Sequence, residues 1–300
     1  MYCGINHLSI ESLDACSNSM RLYSENGAIA LDASMLATDE PLQTDVNLLL
    51  WCRQGCARLR IDLDNHDINA GEIVVVPEHS VVGGFMPSSD FDCVTIMFTT
   101  SLAHTLLNDK IYLWESILLL HSHRIVKLTE ADTALVEHYA TLLSLKIDNQ
   151  RRDTYYPKSM NLVFSTLFLE LLHIFIQAYP ESKTNADFSR EDMLFTRFIT
   201  CIWNRDIKRL SVKAYADMLC VSSKYLTTVC RGQSNHSAQF WIKSLVKRDI
   251  GIYFTYTNLA IADVARFTGF QNASFFCKFF RRYFSTTPTQ YRLLNQSRVI

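Results

Sequence analysis

The spacing of apolar positions changes along this 300-residue chain. Between Leu48 and Phe98 the apolar runs are short and are separated by Asp-Asn, Ala-Gly and Gly-Gly pairs, and Leu59–Leu63 alternates between apolar and polar residues. Alternation with a period of two is typical of a half-buried strand. We therefore predict a small β-barrel or jelly-roll, with strands at Leu48–Trp51, Ala57–Leu63, Ile73–Val76 and Val94–Phe98.

Helical spacing replaces this pattern from Ser101 onward, where we expect no further strands. The polar stretch Pro180–Ala186 is typical of a linker, and Ser189 is placed to cap a helix over Arg190–Asn204. The helices predicted before the linker are Lys110–His121, Glu130–Lys146 and Pro157–Tyr179.

The stretch from Met160 to Tyr179 is long and apolar enough to raise the alternative of a membrane-spanning helix. It also contains Glu170, His173 and Gln177, and an ionisable side chain inside a bilayer is costly. A helix that is apolar on most sides is more often buried between protein partners. We therefore interpret this stretch as a core or dimerisation helix.

The last third of the chain contains the same helix-turn-helix pattern twice. Ala216 in the first copy and Ala265 in the second are small residues that let the two helices of each unit pack closely. One such helix pair is a weak indication, because short helix pairs are common, but two in register indicate a DNA-binding module. The first copy comprises Val212–Cys220, Val221–Ser223 and Lys224–Arg231, and the second comprises Ile261–Arg266, Thr268–Asn272 and Ala273–Arg282.

The second helix of each copy is predicted to have an apolar inward face and a polar outward face. An outward face of this kind can enter a major groove, where Lys and Thr reach base edges. The inward residues are predicted to be Tyr225, Leu226, Val229 and Cys230 in the first copy and Phe275, Phe276, Phe279 and Phe280 in the second. The outward residues are Ser223, Lys224, Thr227, Thr228 and Arg231, and then Ala273, Ser274, Cys277, Lys278 and Arg281.

A single helix over Ser237–Phe254 is predicted to join the two units. Its eighteen residues span about 27 Å at a rise of 1.5 Å each. Successive major-groove faces are about 34 Å apart along one turn of DNA. A rigid connection of this length suits one chain that contacts two adjacent turns.

Charge separates the chain into two parts. From Arg190 to Ile300 there are 17 basic and 6 acidic side chains, a net charge of +11, and the preceding residues carry 12 basic and 24 acidic side chains, a net charge of −12. Because clustered Lys and Arg release counterions from a polyanion, we expect only the C-terminal part to contact DNA.

Cysteine usage and the N-terminal residues bear on the compartment. The nine cysteines are scattered and include no Cys-x-x-Cys pair, which favours reduced, mostly buried thiols over disulfides or a metal site. The first residues lack the basic start and apolar segment of a signal peptide. We therefore predict a cytoplasmic protein.

The segment from about Phe195 to Arg292 resembles the AraC/XylS family of bacterial transcription regulators, whose DNA-binding domain consists of two helix-turn-helix units joined by a helix. The resemblance covers about a third of the chain and is most specific in the closing stretch. The matching positions are Ala216, Val221-Ser222, Tyr225-Leu226, Ile261–Ala265, Gly269-Phe270, Ser274–Phe276, Phe280 and Thr287–Arg292.

This resemblance implies which side chains contact DNA, and it implies RNA polymerase as a partner. The residues implied for base reading are Ser223, Lys224, Thr227, Thr228, Asn272, Ala273, Ser274 and Lys278. The residues predicted for phosphate contact are Ser222, Arg231, Arg281 and Arg282. Because Ala273 and Ser274 offer few bidentate donors, we expect the first unit to dominate sequence reading.

The chain departs from the family pattern at four positions. Asn235 and Ser285 stand where the family usually has Gly, and Asn tolerates the left-handed conformation. Val246 replaces a usual Arg in the connecting helix, and Cys230 replaces a usual Phe.

The N-terminal half looks like the cupin-like sensor domain of the family, with Gly71–Pro77 and His79 matching its turn and strand. A cupin enzyme needs His and Glu metal ligands clustered on neighbouring strands, whereas His66 and His79 are isolated and His121 and His123 are predicted to lie in a helical region. We therefore predict no metal, no cofactor and no catalytic residue. Trp51, Phe85 and Phe91 are candidates for an effector pocket inside the barrel.

Together these observations predict an α+β protein with a cupin-like sensor barrel at residues 1–100, a helical dimerisation region at 101–183 and a tandem helix-turn-helix domain at 190–300. The predicted function is a homodimeric, sequence-specific transcription regulator, an activator controlled by a small-molecule effector. Two alternatives are a cupin-type metalloenzyme with an accessory DNA-binding module and a non-specific architectural DNA binder.

Overall fold

The chain divides into two compact units, one formed by Asn6–Ala186 and the other by Met1–Ile5 with Asp187–Ile300. The computed structural model describes residues 5–10, 20–24, 27–30, 32–38, 40–107, 124–148, 154–178, 189–203 and 210–296.

The compact unit formed by Asn6–Ala186 contains two β-sheets. One sheet has the strand order β1-β4-β9-β6-β7, and the other has the order β11-β8-β5-β10-β3-β2. The strands are β1 (Asn6–Leu8), β2 (Met20–Ser24), β3 (Gly27–Ala30), β4 (Leu42–Thr44), β5 (Asn47–Gln54), β6 (Cys56–Ile61), β7 (Asp64–Asn69), β8 (Glu72–Val76), β9 (Val81–Pro87), β10 (Asp92–Phe98) and β11 (Ile125–Lys127).

Strand β5 shows how the core is arranged, because successive side chains on a strand point to opposite faces of the sheet. Leu48, Leu50 and Cys52 pack into the core between the two sheets, whereas Leu49 and Trp51 belong to a second core on the other face. A continuous apolar run is therefore required here, since both faces of this strand are covered.

The second core lies between the six-stranded sheet and three helices, namely α1 (Thr100–Leu107), α2 (Glu130–Asp148) and α3 (Tyr156–Ala178). Phe98 at the end of β10 contacts Phe168 of α3 edge to face, with ring centroids 4.6 Å apart. The first unit thus has three layers, two sheets and one layer of helices.

Helix α3 is the one helix in the described residues that is long and apolar enough to cross a membrane by length and composition. One side of it is buried in the second core through residues such as Phe164, Leu167, Phe168 and Leu171. Packing against the sheet therefore accounts for much of its apolar character.

The second unit is helical throughout its described residues. Its helices are α4 (Arg190–Trp203), α5 (Val212–Met218), α6 (Ser223–Ser234), α7 (Ala238–Tyr256), α8 (Ile261–Phe267), α9 (Ala273–Phe284) and α10 (Pro288–Gln296). As the sequence predicts, Ser189 caps α4: its hydroxyl accepts a hydrogen bond from the Asp192 amide at 3.1 Å.

The α+β class and the four predicted strands are confirmed, with the barrel formed by two facing sheets. The expectation that no strand follows Ser101 is wrong, because β11 pairs with β8 at the edge of the six-stranded sheet. Three residues were too few for a period-two pattern to be recognised. The predicted helix Lys110–His121 and the linker Pro180–Ala186 lie outside the described residues.

Candidate DNA-binding surface

The two helix-turn-helix units repeat the same backbone hydrogen bonds. In the first unit, the Val221 amide donates to the carbonyl of Ala216 at 2.9 Å, and in the second the Phe270 amide donates to the carbonyl of Ala265 at 2.9 Å. Ala216 and Ala265 are both buried. The internal repeat predicted from the sequence is therefore a repeat in three dimensions.

A residue in the left-handed conformation turns the chain in each unit. Cys220 has φ +57° in the first unit, and Gly269 has φ +85° at the equivalent place in the second. A side chain in this conformation is costly and glycine is not, so the first turn is formed at some expense of stability.

Both recognition helices, α6 and α9, begin at a polar capping side chain. The Ser222 hydroxyl accepts a hydrogen bond from the Tyr225 amide at 3.1 Å, and the Asn272 side-chain oxygen accepts one from the Phe275 amide at 3.0 Å. Asn272, a predicted base-reading residue, thus caps α9 and does not lie on the helix itself, and the NH2 group of its side chain is still able to donate a hydrogen bond.

Each recognition helix ends at a left-handed residue. Asn235 has φ +57° and Ser285 has φ +56°. The prediction that Asn235 supplies the turn usually made by Gly is confirmed, and Ser285 adopts the same conformation. Both ends are closed by a backbone hydrogen bond to the carbonyl four residues earlier, Arg231 and Arg281 respectively.

The inward faces are narrower than the sequence pattern predicts. Leu226, Val229 and Cys230 are buried in the first unit, and Phe276 and Phe280 in the second. Three of the residues predicted to be inward differ, since Tyr225 is 41% exposed, Phe275 is 63% exposed and Phe279 is half-buried.

The reason for this difference is the helical period. Consecutive residues are about 100° apart on a helix with 3.6 residues per turn. With Phe276 directed at the core, Phe275 must lie to one side, and the same holds for Tyr225 beside Leu226. A helical projection of the sequence would have separated these pairs.

Contacts between aromatic rings stabilise the second helix-turn-helix unit against α7 and α10. Phe254 of α7 contacts Phe280 with ring centroids 4.9 Å apart, and Tyr291 of α10 contacts Phe284 at 5.2 Å. The guanidinium of Arg292 lies 4.7 Å from the centroid of the Phe254 ring and donates a hydrogen bond to the Leu259 carbonyl. Burial lowers the pKa of Arg292.

The outward residues predicted for DNA contact lie at the surface in both units. Ser223 and Thr227 are half-buried, and the Thr228 hydroxyl donates to the carbonyl of Lys224 at 3.1 Å. The exposed members of the predicted set are Ser222, Lys224, Thr228, Arg231, Asn272, Ala273, Ser274, Lys278, Arg281 and Arg282.

The cations of these faces are available to an anion. Within the described part of the chain, Lys224, Arg231, Lys278 and Arg281 have no ion-pair partner. A solvated cation that is not paired to a carboxylate can exchange its counterion for a phosphate with little loss.

Helix α7 adds two lysines that the sequence reading did not single out. Lys243 and Lys247 lie one turn apart and, with Phe240 and Tyr283, line a hollow of about 400 Å³. Like charges at this spacing repel each other mildly, so their presence on one face fits an anionic neighbour. Their i, i+4 spacing was visible in the sequence.

The three aromatic residues suggested for an effector pocket do not lie around one cavity. Trp51 packs in the core that faces the helices, whereas Phe85 and Phe91 pack against the core between the sheets. Phe85 and Phe91 contact each other edge to face at 5.6 Å. Strand alternation separates them, because Trp51 points to the opposite face of β5 from Cys52.

No group of three or more His, Cys, Asp and Glu side chains that could hold a metal ion occurs in the residues described. His66 on β7 is half-buried, and its pKa is lowered first by burial and second by the nearby charge of Arg124.

Comparison with known proteins finds a family match within the compact unit that contains Asp187–Ile300. Residues 215–293 match a family model described as a helix-turn-helix domain. No curated protein matches the chain at a significant level.

Among solved structures, the chain is similar to ToxT from Vibrio cholerae O395, with 16% identity, a TM-score of 0.39 and coverage of 92% of this chain and 98% of that one. It is also similar to the C-terminal domain of the response regulator yesN from Fusobacterium nucleatum, with 20% identity, a TM-score of 0.31 and coverage of 35% and 99%. A third similar structure is the AraC-like transcriptional activator CuxR, with 12% identity, a TM-score of 0.33 and coverage of 74% and 72%.

The repeated units, their exposed recognition helices and the matched residues define a helix-turn-helix domain, a class of domain that binds DNA. The match lies where the sequence motifs predict the two helix-turn-helix units.

Proposed function

We propose that the protein is a sequence-specific regulator whose α6 and α9 enter successive major grooves of one DNA duplex. The observation that carries this proposal is the repetition of the turn hydrogen bonds after α5 and α8, each followed by a capped recognition helix with an exposed face. Helix α7 has 19 residues and so a length of about 28 Å, of the same order as one turn of DNA.

Base reading is assigned to the outward residues near the start of each recognition helix. Lys224 is exposed and unpaired in the described residues, and an ammonium group there can donate to O6 and N7 of guanine. Ser223, Thr227 and Thr228 complete the first reading face. The second face consists of Asn272, Ala273, Ser274 and Lys278, with fewer donors at its leading edge.

Phosphate contact is assigned to residues at the borders of these faces. Ser222 lies at a helix N-terminus, where the free amides and the helix dipole favour an anion. Arg231, Arg281 and Arg282 lie in the last turns of their helices. Lys243 and Lys247 add to the basic residues, and they lie on α7, the helix that joins the two helix-turn-helix units.

The experiment that tests this function is selection from a random duplex library with the full-length protein, followed by affinity measurement at several salt concentrations. The proposal expects an enriched sequence bound about 10³-fold or more tightly than random DNA at physiological salt. Equal binding of selected and random duplexes would instead indicate an architectural DNA binder.

We further propose that a small-molecule effector acts through the compact unit formed by Asn6–Ala186. The protein is proposed to be a cytoplasmic activator that works with RNA polymerase. A thermal-shift screen of small metabolites with the full-length protein tests the effector. A ligand present at 100 times its Kd stabilises the folded state by about 2.7 kcal/mol, which raises Tm by several degrees. Because one ToxT structure is of a complex with an unsaturated fatty acid, such a fatty acid belongs in the panel.

The proposal includes a homodimer formed through α2 and α3. Leu162 and Leu169 are 59% and 47% exposed and lie two helical turns apart on one side of α3, and Leu142 and Leu145 of α2 are also exposed. Sedimentation of the full-length protein at micromolar concentration tests this. A dimer that Leu162→Glu with Leu169→Glu converts to a folded monomer supports it, and a monomeric wild type refutes it.

A further inference from the structure

Three cysteines lie at one end of the two-sheet structure, where the hairpin between β5 and β6 meets β10. Cys52 of β5 is directly opposite Cys93 of β10 in the antiparallel register. Both thiols are buried and both belong to the core between the sheets. Cys56, the first residue of β6, is exposed.

The backbone places Cys52 and Cys93 at a disulfide-compatible separation. The Cys52 carbonyl accepts a hydrogen bond from the Gly71 amide at 2.8 Å, so this part of Cys52 faces β8 and not β10. With respect to β10, Cys52 and Cys93 are therefore a non-hydrogen-bonded pair, in which the Cα atoms are about 4.5 Å apart and the side chains are close. Disulfides have Cα separations of about 4.4 to 6.8 Å.

The Cys52 thiol lies against the hairpin turn that precedes Cys56, and the nearby Cys56 contributes to raising the pKa of Cys52 after the larger effect of burial. The Cys52 thiol donates to the carbonyls of Gln54 at 3.3 Å and Gly55 at 3.7 Å, and Gly55 immediately precedes Cys56. The Ser88 hydroxyl accepts a hydrogen bond from the Cys56 amide at 3.0 Å and so fixes the start of β6.

Burial keeps an oxidant in solvent away from the inner pair and keeps most of the two thiols protonated. It raises the pKa of Cys52 to about 11 and that of Cys93 to about 12, so both are protonated near neutral pH. The thiolate is the form that attacks a peroxide or a disulfide. An oxidant must therefore react first at the exposed Cys56.

We propose that this cluster is an oxidation site for hydroperoxides, in which Cys56 is the entry thiol and a Cys52–Cys93 disulfide is the product. All three cysteines belong to the compact unit formed by Asn6–Ala186, whereas both helix-turn-helix units belong to the other.

The reaction has three balanced steps. The Cys56 thiolate attacks one peroxide oxygen, the O–O bond breaks, and the products are a Cys56 sulfenic acid and water or an alcohol. The Cys52 thiolate then attacks the Cys56 sulfur and releases water, which forms a Cys52–Cys56 disulfide. The Cys93 thiolate attacks the Cys52 sulfur, and Cys56 leaves as a thiol. In sum, two thiols are oxidised and one peroxide is reduced.

The test treats the reduced full-length protein with hydrogen peroxide, alkylates the remaining thiols and maps the peptides by mass spectrometry. The expected product is a peptide pair joined through Cys52 and Cys93. Dimedone present during the reaction should be found on Cys56. Raising the pH from 7 to 8 should accelerate disulfide formation about tenfold, since the thiolate fraction of a thiol with a pKa of about 11 rises tenfold per pH unit.

Variants separate the steps. Cys56→Ser should slow formation of the Cys52–Cys93 link at least tenfold, and Cys93→Ala should stop the reaction at the Cys52–Cys56 disulfide. The control Cys220→Ser removes an exposed thiol of the first helix-turn-helix unit and should change neither the rate nor the product. Cooperative thermal unfolding checks that each variant is folded. A wild type that gives only over-oxidised Cys56, or a Cys52–Cys93 link that forms equally fast without Cys56, would overturn the proposal.

Discussion

The two helix-turn-helix units of this protein have the same scaffold and different surfaces. Their turn hydrogen bonds correspond one to one, and each recognition helix starts at a polar cap and ends at a left-handed residue. Their outward faces differ, because the first presents Lys224 and Thr228 where the second presents Ser274 and Lys278 among exposed aromatic and small residues.

This difference shows that the buried residues of a unit and the exposed residues proposed to read DNA can vary independently. The buried positions accept either aliphatic residues, as in Leu226 and Val229, or aromatic ones, as in Phe276 and Phe280. Among the proposed reading positions, Lys224, Ser274 and Lys278 are exposed and therefore have few packing constraints. Each unit can therefore be altered at one set of positions while the other set is kept.

The largest effect is expected from the core. Phe276→Ala removes a fully buried ring and should cost about 3 to 5 kcal/mol of unfolding free energy, whereas Leu226→Ala in the first unit should cost about 2 to 5 kcal/mol. Denaturant unfolding of the full-length protein measures both. The matched control is Phe275→Ala, which truncates an exposed neighbour and should change stability by no more than about 0.5 kcal/mol. Comparable losses from Phe275→Ala and Phe276→Ala would contradict the assigned inward face.

Substitutions at the left-handed residues of the two turns should change stability in opposite directions. Gly269→Ala places a side chain at φ +85° and should destabilise the second unit by about 1 to 2 kcal/mol, whereas Cys220→Gly at φ +57° should stabilise the first by about 1 kcal/mol. Thermal unfolding of the two variants gives the comparison. If Cys220→Gly lowers Tm, the Cys220 side chain contributes packing that outweighs the backbone cost.

The smallest effect concerns the first helix of each unit. The Ser211 hydroxyl accepts a hydrogen bond from the Ala214 amide at 3.2 Å, whereas Ala260 begins α8 without a side-chain cap. Ser211→Ala should cost about 1 kcal/mol, and Ala260→Ser should gain a similar amount or less. Unfolding curves of the two variants and the wild type measure both changes in stability. A gain at Ala260 with no loss at Ser211 would mean that the two caps are not equivalent.

Much of this fold follows from local patterns in the sequence. Alternation of apolar and polar residues predicts β6, short apolar runs bounded by turn residues predict β5, β8 and β10, and the tandem repeat predicts both recognition helices. Strand β7, with the sequence Asp-Asn-His-Asp-Ile-Asn, could not be found this way, because it is polar and is held as a strand by pairing with β6. Edge strand β11 likewise depends on a distant partner.

The candidate site was predicted in part. The outward residues of α6 and α9 followed from helical spacing, because exposure on a helix is a local property. The aromatic effector set did not follow, because the face to which Trp51 points depends on which helices cover the six-stranded sheet. The Cys52 and Cys93 pair depends on strand register, which only the folded structure fixes.

The central claim is that α6 reads bases through Lys224 while Arg281 of α9 positions the protein on phosphate. Selection from a random duplex library with wild type, Lys224→Ala and Arg281→Ala tests it directly. Lys224→Ala should lose about 1 to 3 kcal/mol of discrimination at one position of one half-site. Arg281→Ala should keep the preference profile, bind every sequence more weakly and lower the salt slope by about one unit. An unchanged profile for Lys224→Ala, or a shifted one for Arg281→Ala, would contradict the division between reading and positioning.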